Sequence, residues 1–149
     1  MLKNLKKENI RPCSVDLRLG QIFKLSKTKL IDLEKNKFPK HKEIKLPYIL
    51  KPGEYILART IEELSQEKKK YACLLSARSR AFRIGLSVQT NFFGPYYSGQ
   101  IAFGIKNISE NNILLYKGMS IVQIAFFDIK GETIPVKHYF QFGRILWVL

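Results

Sequence analysis

Short apolar runs broken by turn residues dominate the pattern along the chain. The first, 17–25, follows Pro12. Residues 28–45 are polar, Lys-rich and without a clear period, and read as a loop or excursion. Tyr48-Ile49-Leu50 leads into Pro52-Gly53, a type II turn signal: Pro presets one central residue and Gly takes the positive φ of the next. Residues 55–60 form the next β-rich run. Residues 62–70 are polar, end in three lysines, and read as a short helical turn or a loop. Further strands are predicted at 71–77, 86–88, 100–105, 112–115, 120–127 and 133–136, with Gly94-Pro95, Ser98-Gly99, Lys117-Gly118 and Gly131 as punctuation. A helical stretch at 79–85 interrupts them. Strands this short, with turns about every 8–15 residues, predict an all-β sandwich or barrel.

Composition narrows the class. Of 149 residues, 46% are hydrophobic and 26% charged, which excludes disordered, collagen-like and coiled-coil proteins. The length predicts one domain, 1–149, around one core. Within it, 1–11 is an N-terminal segment. Residues 145–149 form an apolar tail expected to pack on the chain's own core or on a neighbouring subunit. No apolar run reaches 18 residues, so neither a spanning helix nor a membrane partner is expected. The first residues lack the apolar segment of a signal peptide. Cys13 and Cys73 cannot build a disulfide framework; Cys73 sits in an apolar run and reads as core. Reduced thiols and a cytoplasmic location are the expectation.

Charge adds the first functional hint. Lys and Arg number 26 against 12 Asp and Glu, a net charge of +14. Residues 1–51 alone hold 14 basic side chains against 5 acidic ones. Such a surface attracts nucleic acid, nucleotides or acidic membranes. A solvated Lys-rich surface with no single partner has the same composition.

Common catalytic templates are missing. There is no H-x-E with P-C-x-x-C of the zinc deaminases, no phosphate loop, no G-x-G-x-x-G and no nucleophile elbow. His41 and His138 stand alone, whereas a metal site needs several ligands together. One segment stands out: Arg78-Ser79-Arg80-Ala81-Phe82-Arg83. As a helix start it would put Ser79 at the N-cap and Arg80 and Arg83 on one face. Free N–H groups and guanidinium forks there would suit a polyphosphate. A basic surface turn is the alternative.

The order of the motifs points further. Ser14-Val15-Asp16-Leu17-Arg18-Leu19-Gly20 resembles the S-x-D-L-R-x-G motif of the dCTP deaminase and dUTPase superfamily. Residues 50–62 resemble its L-x-P-G-E-x-x-L-A-x-T-x-E strand pair. Arg78-Ser79 with Arg83-Ile84-Gly85 resembles R-S-S-x-A-R-x-G, and Tyr97-Ser98-Gly99-Gln100-Ile101 with Asn107 resembles the end of the uracil-binding hairpin. Residues 118–126 are similar to G-M-x-I-x-Q-x-x-F.

The resemblance implies a distorted jelly-roll β-barrel of dUTPase-like type with one short helix. It also implies a homotrimer with active sites between subunits, acting on a pyrimidine deoxynucleoside triphosphate. Arg78, Ser79, Arg80 and Arg83 would serve the phosphates, with Gln123 reaching them from a neighbouring subunit. Thr90, Asn91, Phe93 and Gln100 belong to the segment 90–100 that would read the base, and Tyr97 would pack on the deoxyribose. No tightly bound cofactor is implied; any Mg2+ would arrive with the nucleotide's phosphates.

The carboxylates are where this chain departs from the pattern. The Asp of the dUTPase hairpin falls on Gly94, and the Glu that serves dCTP deaminases as general base falls on Gly104. From Lys68 to Ser109 there is no Asp or Glu at all. Loss of a general base costs about 10²–10⁴-fold in rate. Asp16, Glu54, Glu62 and Glu110 are the nearest acids along the chain, and none is placed in the site by sequence. The Gly-rich closing arm of the dUTPases is also absent; His138-Tyr139-Phe140-Gln141-Phe142-Gly143-Arg144 stands at the end instead. The expectation is a pyrimidine deoxynucleotide-binding protein, catalytically impaired or regulatory. The alternatives are an active dCTP deaminase or dUTPase with a relocated carboxylate, and a basic nucleic-acid-binding module on the same scaffold. Among enzymes, the motifs lean toward the deaminase branch.

Overall fold

The computed structural model describes residues 2–66 and 71–134. In chain order the strands are β1 (Leu2–Lys3), β2 (Val15–Leu25), β3 (His41–Ile44), β4 (Tyr48–Leu50), β5 (Tyr55–Ser65), β6 (Tyr71–Ala77), β7 (Leu86–Gln89), β8 (Phe92–Phe93), β9 (Ser98–Asn107), β10 (Ile113–Leu115) and β11 (Ser120–Asp128). One short helix, α1 (Ser79–Arg83), follows β6, and a 3-10 turn covers Lys7–Asn9. No helix among the described residues is long and apolar enough to cross a membrane.

Among the described residues nine strands form one antiparallel sheet: seven follow the path β7-β9-β5-β2-β11-β6-β8, β1 pairs with β5 and β3 with β2 off that path, and β4 and β10 pair separately. The two ends of that path are close in sequence: only Thr90 and Asn91 separate β7 from β8. The three Cα–Cα steps from Gln89 to Phe92 can span at most about 11 Å. The sheet must therefore curl until its edges nearly meet, which makes it a distorted barrel. Leu17, Leu19, Ile56, Leu75, Ile101 and Ile124 fill the interior with essentially no exposure. Along β5 alternate residues turn inward, from Ile56 through Leu64, and the others outward.

Several boundaries differ from the sequence expectation. Residues 62–65 extend β5 rather than forming a helical turn or loop. Their polar composition hides the alternation because Glu62 is itself an interior residue, fully buried against Arg18. The polar stretch 28–45 ends in a strand, β3, which pairs only with β2 at an edge and so needs no apolar face. Helix α1 ends at Arg83, earlier than expected, and Arg78 rather than Ser79 occupies its N-cap without a side-chain capping bond. Gly85, at φ +85°, turns the chain away, and a Cβ there would lie 2.6 Å from the Cβ of Ser109. The segment 90–100 is not a two-stranded hairpin: β8 pairs with β6, whereas β9 pairs with β5 and β7. The expected strand at 133–136 shows no strand at 133–134; the rest of it, the lysines 68–70 and the tail 145–149 lie outside the described residues.

Candidate functional site

The ends of β2, β11 and β6 build a polar platform. Gln123 on β11 faces Asp16 on one side and Ser76 on the other. The Ser14 hydroxyl donates to Gln123 Oε1 at 3.1 Å, and Gln123 Nε2 donates to Ser76 Oγ at 3.3 Å. Asp16 is 1% exposed. Its Oδ2 accepts from Arg11 Nε at 2.8 Å, and its Oδ1 lies 3.0 Å from Arg78 Nε. The Arg78 amide donates to the Ile121 carbonyl at 2.9 Å. Arg78 is thus fixed at the entrance of α1, its guanidinium turned back toward the platform.

The arginines near the platform and α1 fall into two groups. Arg11, Arg18 and Arg78 are each paired with a buried carboxylate. Ser79, Arg80 and Arg83 are exposed, and neither Arg80 nor Arg83 has a carboxylate partner among the described residues. Arg83 lies over the Phe82 ring, 5.6 Å from its centroid. Arg80 and Arg83 border one cavity of about 430 Å³ with Leu86, Met119 and Ser120. A guanidinium without a carboxylate beside an open cavity is available to an anion.

Further along, Thr90 and Asn91 are exposed in the link between the sheet edges, and Asn91 Oδ1 accepts from the Phe92 amide at 2.8 Å. Phe93 is half-buried and meets the Tyr97 ring edge-on at 5.0 Å. Tyr97 is only 5% exposed, so its ring belongs mainly to the core; its hydroxyl donates to the Gln100 carbonyl at 2.7 Å. Gln100 Nε2 donates to the Thr60 carbonyl at 2.9 Å. Between Phe93 and Tyr97, Tyr96 adopts φ +72°, a left-handed conformation uncommon for a bulky residue. The Gly94 carbonyl is held by the Gln66 side-chain amide at 3.0 Å. Gln66 is fully buried, so this bond tethers the segment from beneath. Asn107 knots the far end of β9, its amide donating to the Leu50 and Asn111 carbonyls at 3.0 and 2.7 Å.

The four acids singled out in the sequence stand elsewhere. Asp16 is committed to Arg11 and Arg78, and Glu62 to Arg18, whose Nε lies 2.6 Å from Oε1. Glu54 locks the Pro52-Gly53 turn, accepting from Tyr48 Oη at 2.6 Å, Lys24 Nζ at 3.0 Å and the Lys51 amide at 3.1 Å. Burial pushes the Glu54 carboxyl upward, but these donors outweigh it and hold it below its ordinary value. Glu110 is exposed on a loop.

Gly104 has a definite neighbour. It faces Leu57 across β5 and Gln89 across β7. A Cβ built on Gly104 would lie 2.8 and 2.9 Å from Cε2 and Cζ of Tyr55 and against its hydroxyl oxygen. The Tyr55 ring therefore fills the space that a side chain at 104 would enter. This contact was not anticipated from the sequence, where Tyr55 reads as the ordinary start of a strand. The platform roles of Ser14 and Asp16 were anticipated only as parts of a motif.

Comparison with known proteins gives a consistent result. A model of the dCTP deaminase-like family matches residues 1–129. The dCTP deaminase, dUMP-forming, of Dictyoglomus turgidum is 34% identical over 136 residues, covering 85% of this chain and 70% of that protein. The "Probable deoxyuridine 5'-triphosphate nucleotidohydrolase" of Methanothermobacter thermautotrophicus is 32% identical over 127 residues, covering 84% and 83%. Among solved structures, the 2′-deoxycytidine 5′-triphosphate deaminase of Agrobacterium tumefaciens superposes with a TM-score of 0.66 at 19% identity. That alignment takes in 84% of this chain and 43% of the other, so the chain spans less than half the length of that structure.

Proposed function

The chain belongs to the dCTP deaminase-like family, and on that premise we propose that it binds a pyrimidine deoxynucleoside triphosphate while turning it over poorly or not at all. In this reading the protein acts as a cytoplasmic homotrimer. Ser79, Arg80 and Arg83 meet the phosphates, Arg78 fixes the start of α1, and Gln123 approaches from a neighbouring subunit. Thr90, Asn91, Phe93, Tyr97 and Gln100 shape the segment beside base and sugar. Mg2+ accompanies the triphosphate.

The observation that carries this reading is the pairing of two arginines that lack a carboxylate partner among the described residues with a base segment free of carboxylates. Arg80 and Arg83 have no carboxylate partner among the described residues and can hold an anion, whereas residues 68–109 contain no Asp or Glu. Abstracting a proton from water near neutral pH needs a base within about 3 Å of it. Gly94 and Gly104 supply none, and the Tyr55 ring fills the room beside Gly104.

A second reading, an active deaminase or diphosphatase with its carboxylate elsewhere, is favoured by the enzyme names of the relatives. One experiment separates them: calorimetric titration with dCTP, dUTP and dTTP plus Mg2+, with product analysis of the same samples. Binding without product supports the first reading. Deoxyuridine nucleotide from dCTP, or monophosphate from dUTP, establishes the second. Absence of binding removes both, and the basic surface would then be tested on nucleic acid through the salt dependence of affinity.

A further inference from the structure

Tyr55 and Gly104 lie on neighbouring strands, on the outward side of β5 and β9. Tyr55 is opposite Lys106, and Leu57 is opposite Gly104. Same-face positions two residues apart bring the Tyr55 ring within reach of residue 104. The consequence is steric and chemical at once. The ring's polar end occupies the start of any side chain at 104, so the group presented there is a phenol hydroxyl. That hydroxyl makes no hydrogen bond among the described residues, and Tyr55 as a whole remains 38% exposed. Gln89 lies directly across from Gly104 on β7; it is exposed, and its amide donates to Ser87 Oγ at 3.2 Å. A neutral phenol and a neutral carboxamide thus flank a strand position without a side chain.

We propose that Tyr55 is a specificity-determining residue of this chain: its hydroxyl, above the bare backbone of Gly104 and beside Gln89, hydrogen-bonds the polar edge of the pyrimidine. The proposal rests on the nucleotide-binding reading above and adds to it the group that recognises the base. Burial raises the Tyr55 phenol above its ordinary value, so it stays protonated at neutral pH. It can donate to a carbonyl or accept from an exocyclic amine, but it does not serve as a base. Recognition and turnover part company at this position.

The test uses the full chain and three ligands: dCTP, dUTP and inorganic tripolyphosphate, each with Mg2+. Tyr55→Phe keeps the ring over Gly104 and removes only the hydroxyl. Its expected effect is a loss of about tenfold in affinity for at least one of the two nucleotides, the scale of one hydrogen bond, with tripolyphosphate affinity unchanged. Equal affinities of wild type and Tyr55→Phe for both nucleotides would overturn the proposal and leave the nucleotide-binding reading standing. A wild type that binds neither nucleotide would overturn both. A thermal-unfolding cycle tests the contact without any ligand. Gly104→Ala should lower the midpoint in wild type and lower it less in Tyr55→Ala, where the ring is gone; equal shifts in the two backgrounds would remove the steric basis of the proposal.

Discussion

Asp16 holds Arg78 from beneath: Oδ1 of a carboxylate that is almost wholly buried lies 3.0 Å from the guanidinium Nε. The same carboxylate pairs with Arg11 through its other oxygen. Asp16→Asn keeps the shape and removes the charge, leaving two guanidinium groups without their anion. The expected outcome is a loss of about 1.5–3 kcal/mol of stability, the scale of a hydrogen bond to a charged group. Urea denaturation measures it, and an unchanged midpoint would show that Asp16 does not anchor the segment.

Arg83 should behave in the opposite way. It is exposed and has no carboxylate partner among the described residues, so no ion pair among them is lost with it. Arg83→Ala is expected to leave the unfolding midpoint within about 0.5 kcal/mol of wild type. Triphosphate binding should weaken by about 1.5–3 kcal/mol. Calorimetry on the two variants distinguishes an arginine that builds from an arginine that binds.

Restoring a carboxylate at 104 is not a matter of one substitution. The Tyr55 ring is in the way, and overpacking at such a contact costs about 1–3 kcal/mol. Gly104→Glu is expected to be destabilised and to show no turnover of dCTP. Tyr55→Ala with Gly104→Glu should regain part of that stability in a thermal melt. If Gly104→Glu alone is as stable as wild type, the ring moves aside freely.

The two cysteines should separate cleanly by reactivity. Cys13 is exposed, whereas Cys73 is buried on β6 and burial pushes its thiol up to about 12. The thiolate is the reactive form. A disulfide reagent at neutral pH is therefore expected to modify one thiol quickly, at Cys13, and the second only in denaturant. Rapid modification of both would mean that β6 opens readily.

Acid should loosen the Pro52-Gly53 turn. The folded value of Glu54 lies below its ordinary 4.5, because its donors favour the charged form. Its contribution is then fully present above that ordinary value and is lost as pH falls through the lower folded one. Wild type should lose stability in this window faster than Glu54→Gln, which lacks the titrating group. Parallel pH profiles of the two would exclude Glu54 as a source of acid sensitivity.

Much of the barrel was legible because its interior strands alternate or run apolar. β6 appears at its expected limits, and β2, β9 and β11 within one or two residues at each end. The failures have physical causes. Glu62 looked like a surface residue because its partner, Arg18, is 44 positions away, and local pattern does not carry an ion pair across that distance. β3 looked like a loop because an edge strand can be polar on both faces. The crossing of 90–100 from one sheet edge to the other is invisible to periodicity, since either pairing leaves the same alternation. At the site, the arginines and the missing carboxylates were readable from residue types and order. Tyr55 over Gly104 was not, because a contact between neighbouring strands depends on register, which no local signal fixes.

The position of β11 between β2 and β6 has a consequence for how the platform comes into being. Ser14 and Gln123, which touch across it, are 109 residues apart. During synthesis β2 and β6 emerge early but lack the strand that joins them. Until β11 leaves the ribosome, Asp16 and Arg78 have no shared scaffold, and the loop that must close is long. The platform behind α1 is therefore completed only once β11 has been made. A nascent chain stalled before residue 120 carries the arginines without the means to present them.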